Sequence, residues 1–306
     1  MSELLDHVND YLKLRRDLGF KLRQEGYHLP QLVAFIEASG ATVLTNELAI
    51  AWAKQSHDVQ PITLAHRLGS VRGFARYLQT IDPATEVPPL DVFGAHQQRI
   101  TPYLWSQEEI VALLAGMRDL RPELRAATYE TLLGLIAVTG MRHGEALGLS
   151  VGDVNLTDGV LTVRQGKFNL TRFIPLHPTT TAALTEYAKL RELLCPTPQA
   201  TAFFITPAGT ALRASSVEAT FRDVTTRIGL RTATSHPRIH DLRHSFSVQT
   251  IIDWHRAGTD IGANMAALST YLGHRTPEGT YWYLSAAPEL MGLAAARLDE
   301  RYGARP

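Results

Sequence analysis

Six residues in the last two thirds of the chain carry side chains suited to breaking a phosphodiester. They supply cationic donors, an acid, imidazoles and a hydroxyl nucleophile, and in chain order they are Arg142, Lys167, His240, Arg243, His274 and Tyr283. A phosphodiester is already anionic and gains charge on its non-bridging oxygens in the transition state, so cationic donors must be placed there in advance. Together these residue types predict a metal-free attack of a tyrosine hydroxyl on a phosphodiester.

Each type of side chain fits one step of that attack. The guanidinium groups of Arg142 and Arg243 are planar and permanently charged, and each can give a phosphate two parallel hydrogen bonds. A tyrosine hydroxyl is a weak nucleophile until a base or a cationic setting helps it to ionise, and His240 and His274 are the candidates for that help. A lysine whose pKa is lowered by neighbouring cations suits protonation of the departing sugar oxygen, which is the role predicted for Lys167.

Each local motif also has a purely structural explanation. Arg142 follows an apolar stretch that ends at Val138, and a lone arginine there is commonly a solvated helix cap. Lys167 lies in a Gly-Lys-x-Asn turn between β-type residues, which is typical of an exposed hairpin tip. The aromatic run Tyr281–Tyr283 is typical of core packing. Only the set as a whole favours catalysis over these alternatives.

A zinc site is the competing interpretation of the histidines. His236, His240 and His244 recur at helical spacing, as zinc ligands on one helix face do. However, Pro237 interrupts the helix after His236, Cys195 is the only cysteine, and no carboxylate pair stands at ligand spacing. The sequence therefore predicts that the site holds no metal.

The order and spacing of the motifs resemble the tyrosine recombinase (phage integrase) family, from about Tyr103 to the C-terminus. A T-G-x-R-x-x-E turn occupies residues 139–145, and G-K-x-N followed by R-x-x-P-L occupies 166–176. H-x-L-R-H then stands at 240–244 and L-G-H at 272–274, with a tyrosine nine residues further on. A lone T-G-x-R or L-G-H means little, but the five-part match in this order is highly specific.

The resemblance assigns roles that chemistry alone leaves open. Tyr281 and Tyr283 both stand close to the last histidine, and the family spacing selects Tyr283. The resemblance implies that Tyr283 attacks the scissile phosphate to give a 3′-phosphotyrosine and a free 5′-hydroxyl. A 5′-hydroxyl of the partner strand then reverses the step without ATP, a metal or another cofactor. Glu145 is interpreted as a structural carboxylate, and Arg172 is a candidate DNA contact.

The function implied is site-specific recombination of double-stranded DNA, as in integration, excision or transposition of a mobile element. The stretch 254–274 suggests the transposase-type integrases of such elements. Two alternatives share parts of the pattern. A type IB topoisomerase would relax a plasmid without a specific site, and a catalytically silent DNA-binding accessory protein would give no covalent trapping on nicked DNA.

Length and composition favour a two-domain protein of the cytoplasm. A chain of 306 residues with 45% hydrophobic content has room for two sizeable cores. A single cysteine argues against a disulfide framework, and no signal peptide or run of roughly 20 apolar residues is present. Thirty basic and thirty acidic residues give a formal net charge of zero, so attraction to DNA requires cations gathered on one face. We expect a nucleoid-associated protein with no membrane segment.

The predicted fold is mainly α with a small antiparallel β-sheet, in two domains. Residues 1–82 show apolar spacing typical of about four short helices, and the resemblance implies that they form a core-binding (SAM-like) DNA-binding domain. Residues 83–102, with four prolines, predict a linker. The mixed α+β catalytic domain occupies 103–306, with short strands at 160–164 and 173–176.

Two finer features concern the helices of these domains. The last helix of the first domain carries Arg67, Arg72 and Arg76, a pattern that indicates either DNA-backbone contacts or a solvated face. Ser106 and Glu109 form a capping box that predicts the start of the first helix of the catalytic domain.

A C-terminal helix at 288–300 is predicted after Pro288, with an apolar stripe on one face. The stripe covers either the core of its own domain or a neighbouring protomer, and the resemblance favours the neighbour in a cyclic head-to-tail contact. Strand exchange between two duplexes needs four active sites. We therefore expect a monomer in free solution and a homotetramer on synapsed sites, with companion recombinases or accessory proteins as further partners.

Overall fold

The computed structural model describes residues 3–55, 59–94, 101–164, 171–274, 279–280 and 292. The chain divides into two compact units, Met1–Ile100 and Thr101–Pro306. Both are built mainly from helices, and the second also contains a small antiparallel sheet, so the predicted fold class is confirmed.

The described part of the first unit contains four helices, as the apolar spacing predicts. They are α1 (Glu3–Asp17), α2 (Arg23–Ala38), α3 (Asn46–Lys54) and α4 (Pro61–Leu78). Thr45 caps α3 by accepting a hydrogen bond from the Leu48 amide at 3.3 Å. Trp52 of α3 and Phe74 of α4 are fully buried among aliphatic side chains of all four helices, and this core holds the unit together.

The chain that follows α4 is attached to the first unit. The Glu86 amide donates to the Leu44 carbonyl at 2.9 Å. Arg72 donates from Nε to the Pro88 carbonyl at 2.8 Å and from an Nη to the Pro89 carbonyl at 2.7 Å. Proline lacks an N–H but keeps its acceptor, so a segment that cannot continue a helix still binds an arginine. The linker predicted at 83–102 thus begins with residues held by the first unit.

Helices also dominate the second unit. Its described elements are α5 (Gln107–Arg118), α6 (Glu123–Thr139), α7 (His143–Leu147), a 3₁₀ turn (Val151–Asp153), β1 (Val154–Asn155), β2 (Val160–Val163), β3 (Arg172–Pro175), α8 (Pro178–Leu194), α9 (Ala214–Arg227), α10 (Ile239–Arg256) and α11 (Ile261–Leu272). The predicted capping box begins α5: the Ser106 amide donates to Glu109 at 2.9 Å, and the Glu109 amide donates to Ser106 Oγ at 3.2 Å.

Helix α6 is the centre of the larger core. It is apolar on almost every face and packs against α5, α8 and α10, as expected of a helix that is surrounded by others. Leu132, Leu133 and Ile136 are fully buried there. A smaller cluster lies between α10 and α11, where Ile251 packs with Met265. Helix α10 carries the H-x-L-R-H motif, and α11 ends at the L-G-H motif. The packing between them therefore fixes the two motifs relative to each other.

The sheet has strand order β1-β2-β3, and both pairings are antiparallel. Leu161 faces Ile174 across β2 and β3, and both are buried, whereas Phe173 points to solvent. This alternation fixes the register, because a slip by one residue would exchange the buried and exposed faces. In this register Val163 faces Arg172. No helix in the described ranges is long and apolar enough to span a membrane.

Candidate active site

The T-G-x-R turn is built by the left-handed end of α6. Gly140 caps that helix with φ +61°, a conformation that favours glycine. A Cβ at this position would lie 2.3 Å from a ring carbon of Phe246, so the packing also excludes a side chain. The chain reverses here, buries Met141 and enters α7 with Arg142 at the N-cap. The glycine therefore sets where Arg142 stands.

Glu145 lies between two arginines. Its Oε1 accepts from Arg142 at 2.8 Å and from Arg172 at 3.0 Å, while its Oε2 accepts from the Arg142 amide at 3.0 Å and from Arg172 at 2.7 Å. Burial alone would raise the pKa of Glu145, but the hydrogen bonds and charges of Arg172 and Arg142 outweigh it and lower the pKa to about 2. The carboxylate is therefore ionised at neutral pH.

Arg172 also reaches the end of α11. Its Nε donates to the Tyr271 carbonyl at 2.9 Å, so all three guanidinium nitrogens donate to protein acceptors. The sequence predicted a DNA contact for this residue, and the structure places its guanidinium on Glu145 and Tyr271.

Arg243 lies inside the second unit, with 1% of the residue exposed. It donates from one Nη to the Gly140 carbonyl and from the other to the Leu272 carbonyl, each at 2.8 Å. Both acceptors are at the C-terminal ends of helices, α6 and α11, where carbonyls lack helical partners and carry partial negative charge. Two helix ends therefore hold this cation in place.

His274 contacts Arg243 directly. The Nη that binds Leu272 is also 2.8 Å from His274 Nε2, and His274 Nδ1 is 2.7 Å from Thr280 Oγ1. Because arginine only donates, Nε2 accepts, and the neutral ring carries its proton on Nδ1, which donates to Thr280. Burial, followed by the charges of Arg243 and Arg142, lowers the pKa of His274 to about 4. The ring is neutral at pH 7.

Gly273 completes this corner of the site. It caps α11 with φ +66°, and its carbonyl accepts from Arg142 at 3.0 Å. A Cβ at Gly273 would lie 2.9 Å from an Nη of Arg172. Gly273 thus allows α11 to end here and allows the Arg172 guanidinium to lie close to the backbone of this residue.

His240 lies one helical turn before Arg243 on α10 and remains exposed. Its ring is 4.8 Å from the His244 ring, measured between centroids, and the two are almost perpendicular. Partial loss of water, followed by the charge of Arg243, lowers the pKa of His240 below its usual range. Burial and the neighbouring His240 lower the pKa of His244 to about 3. Both imidazoles are neutral at pH 7.

Two predicted catalytic residues, Lys167 and Tyr283, lie outside the described residues, as does the predicted helix at 288–300 apart from residue 292. The strands before and after the segment that contains Lys167 are β2 and β3, which pair antiparallel. Within the described ranges, no group of three or more His, Cys, Asp or Glu side chains is arranged to hold a metal.

The three predicted DNA contacts of the first unit differ in their surroundings. Arg72 is bound to the carbonyls of Pro88 and Pro89, as described above. The Arg67 guanidinium lies over the Trp52 ring, 4.3 Å from its centroid, and donates to the Trp52 carbonyl at 3.3 Å. Arg76 is exposed on α4. Of the three, Arg76 has the most accessible charge.

Sequence reasoning missed the partners that orient the predicted catalytic side chains. Thr280 gave no motif signal, and its hydroxyl is the hydrogen-bond partner of His274 Nδ1. The carbonyls of Gly140, Leu272 and Gly273 belong to the recognised motifs, but those motifs predict the roles of side chains and not of carbonyl acceptors. The glycines were the available signal, because a left-handed helix cap leaves its carbonyls open to an arginine.

Comparison with known proteins shows which family the chain belongs to. The model of the phage integrase family matches residues 105–289. The chain is 41% identical to the putative integrase/recombinase y4rB of Sinorhizobium fredii (strain NBRC 101917 / NGR234), covering 99% of both chains. It is also 28% identical to the tyrosine recombinase XerC of Stutzerimonas stutzeri (strain A1501), over 81% of this chain and 82% of that protein.

Solved structures share the fold. The Tn1549 transposon integrase in complex with transposon right end DNA superposes with a TM-score of 0.66 at 16% identity, over 97% of this chain and 99% of that chain. The XerH site-specific recombinase bound to palindromic difH substrate, a post-cleavage complex, gives a TM-score of 0.61 at 20% identity, over 83% and 72%.

Proposed function

The chain belongs to the phage integrase family of tyrosine site-specific recombinases, and on that premise we propose that it cuts and rejoins double-stranded DNA through a 3′-phosphotyrosine on Tyr283. The observation that carries the proposal is the cluster of Arg142, Glu145, Arg172, Arg243 and His274 around the C-terminal ends of α6 and α11. Such a cluster prepares a cationic place for a phosphate before the substrate arrives.

The formal charge of this cluster suits the reaction. Three guanidinium groups and one carboxylate leave a net charge of +2, because His274 is neutral. A phosphodiester carries one negative charge, and charge builds up on its oxygens as the nucleophile approaches. A preorganised cluster with excess positive charge therefore stabilises the transition state more than the ground state.

The two catalytic arginines differ in access. The Arg142 side chain is 23% exposed, and its described contacts, to Glu145 and Gly273, use two of its five N–H donors. Arg243 is buried beneath the helix ends. We therefore assign Arg142 to direct hydrogen bonding with a non-bridging oxygen. Arg243 adds positive charge and fixes the His274 ring.

In the proposed reaction, the Tyr283 oxygen forms a bond to phosphorus while the bond from phosphorus to the 5′ oxygen breaks. The phenolic proton passes to a neutral imidazole, for which His240 is the accessible candidate. Lys167 gives a proton to the departing 5′ oxygen. The 5′-hydroxyl of another strand later attacks the phosphotyrosine and releases Tyr283. The number of phosphodiester bonds in the DNA is therefore unchanged.

The proposed biological role is movement of a mobile element. The similarity to a transposon integrase and to a putative integrase/recombinase supports this role. Double-stranded DNA is the proposed substrate, in keeping with the DNA complexes of the structural neighbours. We propose that the active protein is associated with the nucleoid. It is monomeric when free and forms a tetramer on paired sites, and companion recombinases are further proposed partners.

Covalent trapping tests the proposal. The protein is incubated with nicked duplexes that contain the terminal sequences of its own element, and the mixture is denatured and resolved by electrophoresis. We expect a protein–DNA adduct at a 3′ phosphate. Binding without an adduct would support a silent accessory protein, and relaxation of any supercoiled plasmid without a defined site would support a type IB topoisomerase.

A further inference from the structure

Arg172 connects three elements of the second unit. It is the first residue of β3, it binds Glu145 of α7 through two nitrogens, and it binds the Tyr271 carbonyl in the last turn of α11 through the third. Its partners lie 27 and 99 residues away in the chain. Such contacts are those of a residue that fixes elements relative to one another.

Glu145 transmits this restraint to Arg142. Each carboxylate oxygen of Glu145 accepts one hydrogen bond from Arg172 and one from Arg142. The Glu145 and Arg172 side chains are 8% and 14% exposed, so water competes little for these donors and acceptors. Arg172 therefore limits where the carboxylate stands, and the carboxylate limits where the Arg142 guanidinium stands.

The surrounding backbone is shaped for Arg172. Its guanidinium lies so close to Gly273 that a Cβ there would meet Nη at 2.9 Å and the central guanidinium carbon at 3.1 Å. The Gly273 carbonyl also accepts from Arg142. Arg172 thus limits the position of Arg142 a second way, through the end of α11.

We propose that Arg172 is a positioning residue of the strand-cleavage reaction, which holds Arg142 in place through Glu145 and the end of α11, and that it is not a DNA contact. The inference rests on the proposed function, in which Arg142 binds a non-bridging oxygen. Loss of Arg172 then weakens charge stabilisation at the phosphate while leaving the affinity for DNA intact.

Two chemical readouts distinguish positioning from DNA contact. A direct phosphate contact contributes about one unit to the slope of log affinity against log salt concentration, and a positioning residue contributes nothing to that slope. A methylphosphonate linkage has a neutral methyl group in place of one charged oxygen. The rate of cleavage at this linkage therefore depends less on the Arg142 guanidinium. A defect that acts through Arg142 therefore shrinks on methylphosphonate.

The experiment compares wild type with Arg172→Gln, Arg142→Ala and a matched control, Arg164→Gln. Arg164 directly follows β2 in the same sheet and pairs with Asp153, a carboxylate outside the Arg142 cluster. Single-turnover adduct formation on nicked DNA is measured with both linkages, and binding is measured over a series of salt concentrations.

We expect Arg172→Gln to slow adduct formation on phosphodiester by about 10- to 100-fold, as misplacement of a catalytic group does. The deficits of Arg172→Gln and Arg142→Ala should both narrow on methylphosphonate, while the salt slope of Arg172→Gln and the rate of Arg164→Gln stay at wild-type values. A salt slope reduced by about one, an unchanged rate, or a deficit equal on both linkages would overturn the proposal.

Folding is controlled with Arg172→Lys, which keeps the charge but loses the two-nitrogen contact with Glu145. This variant should fold and show a partial deficit of the same kind. If Arg172→Gln and Arg172→Lys both fail to fold, Arg172 is a stability residue and the proposal is wrong. If wild type binds DNA but forms no adduct with either linkage, the proposed function fails, whereas the salt slopes still decide whether Arg172 touches DNA.

Discussion

Arg243 donates to His274 Nε2 over 2.8 Å, and this one contact sets the protonation of the imidazole. With Nε2 accepting, the ring proton resides on Nδ1 and points to Thr280. Protonation of Nε2 would break the hydrogen bond and bring two positive charges together. The cation therefore keeps the histidine neutral.

Acid should destabilise the protein through this contact. The pKa of His274 is lowered to about 4 in the fold from about 6.5 in the unfolded chain, so the unfolded state binds more protons between these values. The stabilisation is fully present above pH 6.5 and is lost as the pH falls towards 4. Thermal unfolding measured from pH 8 to 4 should show a falling midpoint.

The contribution of His274 can be separated from that of His240 and His244, which titrate in the same direction. His274→Asn should have a shallower decline of the midpoint between pH 6.5 and 4 than wild type. Identical declines would mean that His274 is not neutral in the fold, contrary to the hydrogen-bond pattern.

Removal of Arg243 should cost stability as well as activity. Arg243→Ala leaves the buried carbonyls of Gly140 and Leu272 without a donor, which predicts a loss of about 3 kcal/mol in the free energy of unfolding. Arg142→Ala, at a more exposed position, should lose less. Urea denaturation of both variants gives the comparison, and equal losses would contradict the buried role of Arg243.

The nucleophile is tested with two conservative substitutions. Tyr283→Phe should bind DNA at wild-type affinity and form no covalent adduct, because the attacking oxygen is gone. Tyr281→Phe should still form the adduct. Gel analysis of both variants on nicked DNA decides, and an adduct from Tyr283→Phe would show that another side chain attacks.

The acid is tested by changing the leaving group. Lys167→Ala should slow cleavage of an ordinary substrate by about 10²-fold or more and recover most of that rate when sulfur replaces the bridging 5′ oxygen, since a thiolate leaves without a proton. Arg142→Ala should recover little, because its deficit concerns the non-bridging oxygens. Equal recovery in both variants would remove Lys167 from the acid role.

Assembly is tested by deleting residues from Pro288 onward. If the predicted helix at 288–300 docks on a neighbouring protomer, the truncated protein should fold and bind a single site, and it should lose synapsis and recombination. Calorimetry measures folding, gel-shift assays measure single-site binding and synapsis, and a recombination assay measures strand exchange. A truncated protein that unfolds would indicate that the helix covers its own core.

Local features were predictable from the sequence because their causes are local. The Ser106–Glu109 capping box lies within one turn, and the strands predicted at 160–164 and 173–176 match β2 and β3 to within one residue. The partners of Arg172 were not predictable in this way. A motif gives an arginine a position in the chain, but its acceptors are decided by the packing of α7, β3 and α11.

The same limit applies to the first unit. Arg72 and Arg76 stand four residues apart on α4, and their helical spacing predicts the same role for both. Folding brings the carbonyls of Pro88 and Pro89 to Arg72, while Arg76 stays exposed. Helical spacing predicts that two side chains share a face, and it does not predict which of them a later segment will cover.

The acceptors of Arg243 come from Gly140 and Leu272, which are 103 and 29 residues away along the chain. A nascent polypeptide that has not yet emerged from the ribosome beyond α10 lacks one of these anchors and the histidine as well. The cation cannot be seated until α6 and α11 are both complete. An unfinished chain or a proteolytic fragment that ends before α11 therefore cannot seat Arg243 or His274, and on the proposed function we expect it to form no covalent adduct with DNA.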